Sequence, residues 1–223
     1  MDENTIREFS QKIFHDLAGS MGSAMAYVGV KNGIFKIMKD QGEMTLELIV
    51  EKTGLNNRYL EEWLKGMVCT GYLKYHPERI TFELPEEHAF LLASDGTDHF
   101  MGGLFSAVPM MVGVAPKVAD AFRNGGGVHF NEFGEEGVDA ISLMNEGTYR
   151  QRLASYWMKS IPDIFQKLTE GCTTLDFGCG TGNVSMTLAE AFPRTTCYGI
   201  DLDLTSIQKA EQSAQNAGFK DKI

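Results

Sequence analysis

The sequence has no apolar run near the 18–20 residues that a membrane-spanning helix needs, so no membrane partner is expected. Its first residues, Met1-Asp2-Glu3-Asn4, are acidic and polar, with no basic stretch leading into an apolar one, and a secretory signal is therefore not expected. Cysteine is sparse. Cys69, Cys172, Cys179 and Cys197 have neither CxxC spacing nor a histidine-rich partner sequence, which argues against a disulfide scaffold or a zinc site. They read as reduced thiols of a cytoplasmic protein. His15, His76, His88 and His99 have no ligand spacing either, so no metal is expected. Basic residues are in deficit, 20 against 30 acidic, for a formal charge of -10. Both parts share it: residues 1–100 carry 10 basic and 16 acidic groups, and residues 101–223 carry 10 and 14. Binding to a phosphate backbone is driven by Lys and Arg, so the balance points away from nucleic acid.

What is present is an ordinary globular composition, 43% hydrophobic and 22% charged, over 223 residues. Helical periodicity runs from Ser23 to Lys39 and from Thr45 to Thr53, with Thr45 as N-cap and Gly54 as the stop. A third helix opens after Asn56-Asn57, buries Leu60, Trp63, Leu64 and Met67 on one stripe, and closes at Gly71. Two short strands follow, over 72–75 and 80–83. That order predicts a winged helix-turn-helix over residues 1–95.

Residues 96–170 are predicted to form a helical connector on the substrate side. Helical character runs from Glu136 to Ser160 and restarts at Pro162 as far as Glu170. His129, and Tyr149 with Arg150, could line a pocket, although a loop residue and a core aromatic are the simpler reading. Met101, Met110 and Met111 read as core packing before they read as a substrate wall.

Residues 171–223 are α/β. A strand over 173–177 leads through a glycine loop into a helix from Asn183 to Phe192, and a second strand, 196–200, ends at Asp201. The next helix opens on a capping box, Thr205-Ser206-Ile207-Gln208, and stops at Gly218. Strand–helix–strand at this spacing requires a parallel sheet. The loop reads Asp176-Phe177-Gly178-Cys179-Gly180-Thr181-Gly182. No Lys follows Gly182, which excludes a P-loop, and Asn183 stands where a dinucleotide fingerprint needs its third glycine. Asp176 would repel a pyrophosphate and attract an ammonium group. Asp201 stands where a doubly wound half-fold places the acid that takes ribose hydroxyls. A ribose, a positive amino group and no phosphate describe S-adenosylmethionine.

With those residues in place the chain resembles the class I S-adenosylmethionine-dependent methyltransferases, whose first motif is a strand ending in D/E-x-G-x-G-x-G. It is similar over nearly its whole length to an O-methyltransferase-like group with an N-terminal winged helix and mostly unassigned substrates, through 46–49, 71–73, 133–135 and 175–201. The resemblance implies S-adenosylmethionine as cofactor and a small-molecule methyl acceptor. It places Asp176 and Gly178 at the methionine amino-acid end, with Cys179 a small residue in a tight turn. Gly180 and Gly182 give close backbone passage, Asp201 holds the ribose and Leu202 packs on the adenine. It also implies a homodimer through the winged helix. The expected fold is α/β with a mainly helical N-terminal part, ending in the β-α-β-α start of a Rossmann-like sheet.

A third strand would begin at Lys220-Asp221-Lys222-Ile223, so only the first strands of the fold are expected, and the chain reads as C-terminally truncated. Such a chain is expected to bind cofactor poorly and to lack turnover unless another chain completes the sheet. The alternative is a non-enzymatic winged-helix regulator that has lost the catalytic half. The third helix of the winged fold, which would enter a DNA groove, sets Arg58 and Lys65 against Glu61 and Glu62.

Overall fold

The computed structural model describes residues 1–220, and the residues 221–223 expected to continue into a third strand lie outside the described residues. The chain divides into two compact units, Met1–Ser94 and a second that begins at Asp95.

The first unit opens with α1 (Glu3–Lys31), capped by the Asp2 carboxylate, which accepts from the Asn4 amide at 3.0 Å. This corrects the expected helix from Ser23 to Lys39 at both ends. The helix starts twenty residues earlier, because Ile6, Phe9, Ile13, Phe14 and Leu17 fall on one helical face although all are exposed. It stops at Asn32, where Gly33 takes φ +67, and a separate α2 (Ile34–Met38) buries Ile34, Phe35 and Met38. α3 (Leu46–Thr53) has the expected Thr45 cap and left-handed Gly54 stop. α4 (Asn57–Cys69) is capped by Asn56 and buries the expected stripe Leu60, Trp63, Leu64 and Met67. The Trp63 indole donates to the Met25 carbonyl at 2.7 Å and meets Phe35 edge-on at 5.3 Å, which ties α1, α2 and α4 into one core.

The wing is a three-stranded antiparallel sheet in which β1 (Glu43–Met44) and β2 (Lys74–His76) flank β3 (Thr81–Glu83). β1 was not expected; two residues carry no pattern, and Met44 becomes a strand only by pairing with Phe82. The Glu43 carboxylate accepts from the Arg79 guanidinium and from Thr81 Oγ1, and these bonds hold its carboxyl below the usual Glu range. α5 (Glu86–Leu92) closes the unit.

The second unit begins with short helices, α6 (Gly102–Ser106), α7 (Val108–Gly113) and α8 (Ala115–Asn124). Met101 and Met111 are exposed, which corrects the expected core role of that cluster; Met110 packs against Gly137 instead. The long helical region splits into α9 (Gly134–Thr148), a π-helical stretch over Tyr149–Trp157 and a 3-10 turn to Ser160. α10 (Pro162–Glu170) then feeds β4 (Thr173–Phe177), α11 (Asn183–Ala191), β5 (Thr196–Ile200) and α12 (Leu204–Asn216). Proline at its first position suits the start of α10, since the missing N–H is one a helix start leaves unpaired.

β4 and β5 pair in parallel, in register from Thr173↔Thr196 to Phe177↔Ile200. Side chains alternate across this ribbon. Cys197 is buried on the α11 side, in a cluster with Leu153, Leu168, Leu188 and Phe192. Leu175, Phe177, Tyr198 and Ile200 point the other way and are exposed. The capping box expected at Thr205 is not used. Asp203 caps α12 instead, its carboxylate accepting from the Ser206 amide at 2.8 Å, so the cap falls two residues earlier and the helix starts at Leu204. Among the described residues no single helix is long and apolar enough to cross a membrane, and all four cysteines are free thiols.

Candidate functional site

The glycine loop joins β4 to α11 and is fixed at three points. The Gly178 and Cys179 amides both donate to the Ile200 carbonyl, at 2.8 and 3.0 Å, which pins the loop onto the end of β5. The Gly180 amide donates to Asp201 Oδ2 at 2.8 Å. Gly182 is the N-cap of α11 at φ +81, a backbone conformation that favours glycine, and a Cβ there would lie 3.2 Å from the Ala210 Cβ, a tight contact with α12. Gly178 and Gly180 face open space: nothing lies within 4 Å of the position where a Cβ would stand.

Asp176 sits at the end of β4 and accepts from Ser185 Oγ at 3.1 Å. Burial pushes its carboxyl above the ordinary Asp value and the charge of Asp201 adds to this, while the bonds from Ser185 oppose it. Asp201 is used twice by the backbone, since Oδ1 also accepts from the Asp203 amide at 2.9 Å. It is therefore a brace of the loop, a role its position in the sequence did not reveal. Cys179 packs its Sγ against Gly199, where a Cβ would come within 2.9 Å. Burial and the two neighbouring carboxylates raise its thiol, which keeps it protonated and a poor nucleophile. Leu202 is fully exposed.

Two cavities flank the loop. One, of about 410 Å³, includes Asp176, Gly178, Gly180, Asp201, Ser142 and Tyr149 in its lining. The other, of about 590 Å³, is lined by His129, Phe130 and Asn131 on one side and by Phe177, Gly178 and the run Ile200–Asp203 on the other. Asp176, Gly178, Gly180 and Asp201 are thus brought to one place. Cys179 lies in the lining of the smaller cavity, Leu202 in that of the larger, and Gly182 behind the loop. His129 is a loop residue, as the simpler reading had it, and it also lines the larger cavity. Arg150 is exposed and paired with Glu146 at 2.9 Å. Among the described residues, neither cavity has a lysine or arginine in its lining.

Residues 20–94 match the family described as Rv2258c-like winged HTH domain, and residues 168–222 match the family described as methyltransferase domain. A winged-helix match in the first part of the chain is thus followed by a methyltransferase-domain match in the last. Comparison with curated protein sequences finds no match. Solved structures with the same fold include the mitomycin 7-O-methyltransferase MmcR, at TM-score 0.62 and 17% identity over 98% of this chain and 66% of that one. An O-methyltransferase family protein from Burkholderia thailandensis aligns at TM-score 0.59 and 13% identity, over 100% and 63%. The O-methyltransferase NcsB1 from neocarzinostatin biosynthesis, solved with S-adenosyl-L-homocysteine and 1,4-dihydroxy-2-naphthoic acid, aligns at TM-score 0.55 and 15% identity, over 95% and 64%. The chain spans 63–66% of the length of these three structures. At such identities the likeness is one of fold.

The contribution of α9 to the glycine loop has no signal in the sequence. Ser142 on α9 bonds to Thr181 and Asn183, residues 39 and 41 positions away, and Lys209 of α12 pairs with Asp139 and Glu135 of the same helix. No local spacing announces such contacts.

Proposed function

We propose that this protein binds S-adenosylmethionine at the glycine loop and takes part in methyl transfer to a small-molecule acceptor. The observation that carries the proposal is the sign of the site. Two carboxylates converge on an open glycine cradle whose cavities have, among the described residues, no lysine or arginine in their lining, so a phosphate would be repelled and an ammonium attracted. In this reading β4-α11-β5-α12 is the start of a Rossmann-like sheet over 171–223, and residues 96–170 form the substrate side.

When bound, S-adenosylmethionine supplies an electrophilic methyl group. This chain's residues bind and orient. Asp176 holds the ammonium of the amino-acid end. Gly178 and Gly180 leave the space for close backbone approach, and Cys179 keeps the turn tight. Asp201 offers its remaining lone pairs to ribose hydroxyls while its two backbone bonds keep the cradle in shape. Leu202 covers one adenine face. Orientation of this kind is the main contribution a protein makes to an in-line displacement.

The winged-helix unit serves as a dimer handle. Both cations of α4 are engaged on their own helix, Lys65 with Glu61 at 2.6 Å and Arg58 with Glu62 at 3.5 Å, which leaves no basic stripe for a DNA groove. The exposed apolar face of α1, with Ile6, Phe9, Ile13 and Leu17, suits a second copy of the same helix. Titration of the full chain with S-adenosylhomocysteine tests the cofactor reading. Binding that moves the loop amides is expected, and no binding at millimolar ligand would overturn it.

A further inference from the structure

The winged-helix unit has a cavity of its own, of about 480 Å³, and every residue in its lining belongs to that unit. Leu46 of α3, Val68 of α4, and Tyr75, Ile80 and Phe82 of the wing give it apolar walls. Phe82 is buried and meets the Tyr75 ring at 5.2 Å, so one wall is an aromatic surface anchored in the core. A concave site of this size, mostly apolar with a few polar groups, suits a small organic ligand. Ile80 stands over it in a strained backbone. Its φ is +54, in the left-handed region that a β-branched side chain avoids, and its side chain is 68% exposed. The strain is held from both sides, since Arg79 and Thr81 each donate to the Glu43 carboxylate. Glycine would take the same conformation without strain, so the stability of the wing does not by itself call for isoleucine. An apolar side chain there gains contacts only when the cavity is filled.

The charged groups of the lining set the sign of the ligand. They are Glu47, Glu61 and Lys65. The Lys65 ammonium donates to Glu61 at 2.6 Å, and this bond holds the Glu61 carboxyl below the usual Glu range, so these two charges offset each other. Glu47, in the first turn of α3, has no ion pair among the described residues, which leaves one carboxylate in excess at the cavity. We propose that this cavity binds a small aromatic cation, with its ring against the Tyr75 wall and under Ile80, and its positive charge beside Glu47. Aromatic faces attract cations, so Tyr75 and Glu47 act with the same sign. An anion of the same shape would meet the uncompensated carboxylate and be disfavoured. No residue of the glycine loop takes part, and the proposal does not rest on the cofactor reading.

The experiment titrates the full chain with N-methylquinolinium and with 1-naphthoate, two-ring probes of similar shape and opposite charge. Binding is read at the amides of Val68, Cys69, Tyr75 and Ile80. Saturable shifts at these amides are expected with the cation, at an affinity at least about fivefold above that of the anion. Glu47→Gln should weaken the cation roughly fivefold, the size of an exposed ion pair. Glu51→Gln, on an exposed residue of the same helix outside the lining, changes the net charge equally and should leave the affinity unchanged. Ile80→Gly should weaken the cation roughly threefold through lost apolar contact, with a urea midpoint no lower than wild type because the strain is gone. No saturable shift at the four amides, a preference for 1-naphthoate, or equal losses in Glu47→Gln and Glu51→Gln would overturn the proposal. Unchanged affinity in Ile80→Gly would overturn the part given to Ile80.

Discussion

Asp201 makes the most quantitative prediction, because its role in holding the cradle is separable from its role toward a ligand. Its carboxylate accepts the Gly180 amide at 2.8 Å and the Asp203 amide at 2.9 Å. A hydrogen bond to a charged group contributes about 1.5–3 kcal/mol. Asp201 is partly exposed, so water replaces some of that contribution and the lower end applies, about 2–3 kcal/mol for the two bonds. Removing its charge relieves repulsion on Asp176 and returns a fraction of this. Asp201→Ala should therefore destabilise the second unit by about 2 kcal/mol, and Asp201→Asn, which keeps one acceptor oxygen, by about 1 kcal/mol. With a urea slope of about 2 kcal/mol/M, the alanine variant's midpoint falls by about 1 M. The assay is urea unfolding followed at amide signals of the second unit, Gly182 and Gly199 among them, so that the winged helix does not enter the reading. An alanine midpoint within about 0.2 M of wild type at unchanged slope would refute the brace.

Two further outcomes follow from the same contacts. Burial raises the Asp176 carboxyl, so the charged form is disfavoured in the folded protein, and its ionisation costs stability as pH rises through the raised value. The ligand ammonium needs that charged form. Affinity for S-adenosylhomocysteine is thus full above the raised value and is lost as pH falls through it, at a pH above that of an ordinary Asp. Asp176→Asn should abolish this dependence and weaken binding at least about tenfold without lowering the urea midpoint at neutral pH. Pure destabilisation of the variant with an intact pH profile would contradict the assignment. In the winged-helix unit, Ile13→Glu on the exposed face of α1 should convert a dimer to a monomer in sedimentation equilibrium. A wild-type chain that sediments as a monomer would remove the dimer handle.

The elements legible in the sequence are those that local chemistry determines. Thr45, Gly54 and Asn56 cap their helices in place, the Leu60-Trp63-Leu64-Met67 stripe is buried, and β4 and β5 fall on the expected residues. The elements that escaped depend on partners elsewhere. β1 exists only through β3, and Asp203 displaces the Thr205 capping box because its carboxylate reaches the Ser206 amide first. The π-helical stretch over Tyr149–Trp157 keeps helical periodicity over its short length and so cannot be told from an α-helix by pattern. At the site, the order acid, glycines, helix, acid was readable. The double use of Asp201 and the bonds from α9 to the loop are long-range contacts with no local signature.

The central claim is that the glycine cradle receives the amino-acid and ribose ends of S-adenosylmethionine. Titration of the full chain with S-adenosylhomocysteine, read at the amides of Gly178, Gly180 and Gly182, tests it most directly. Saturable shifts centred on these three amides are the predicted result. Shifts confined to other residues, or none at all, would contradict it.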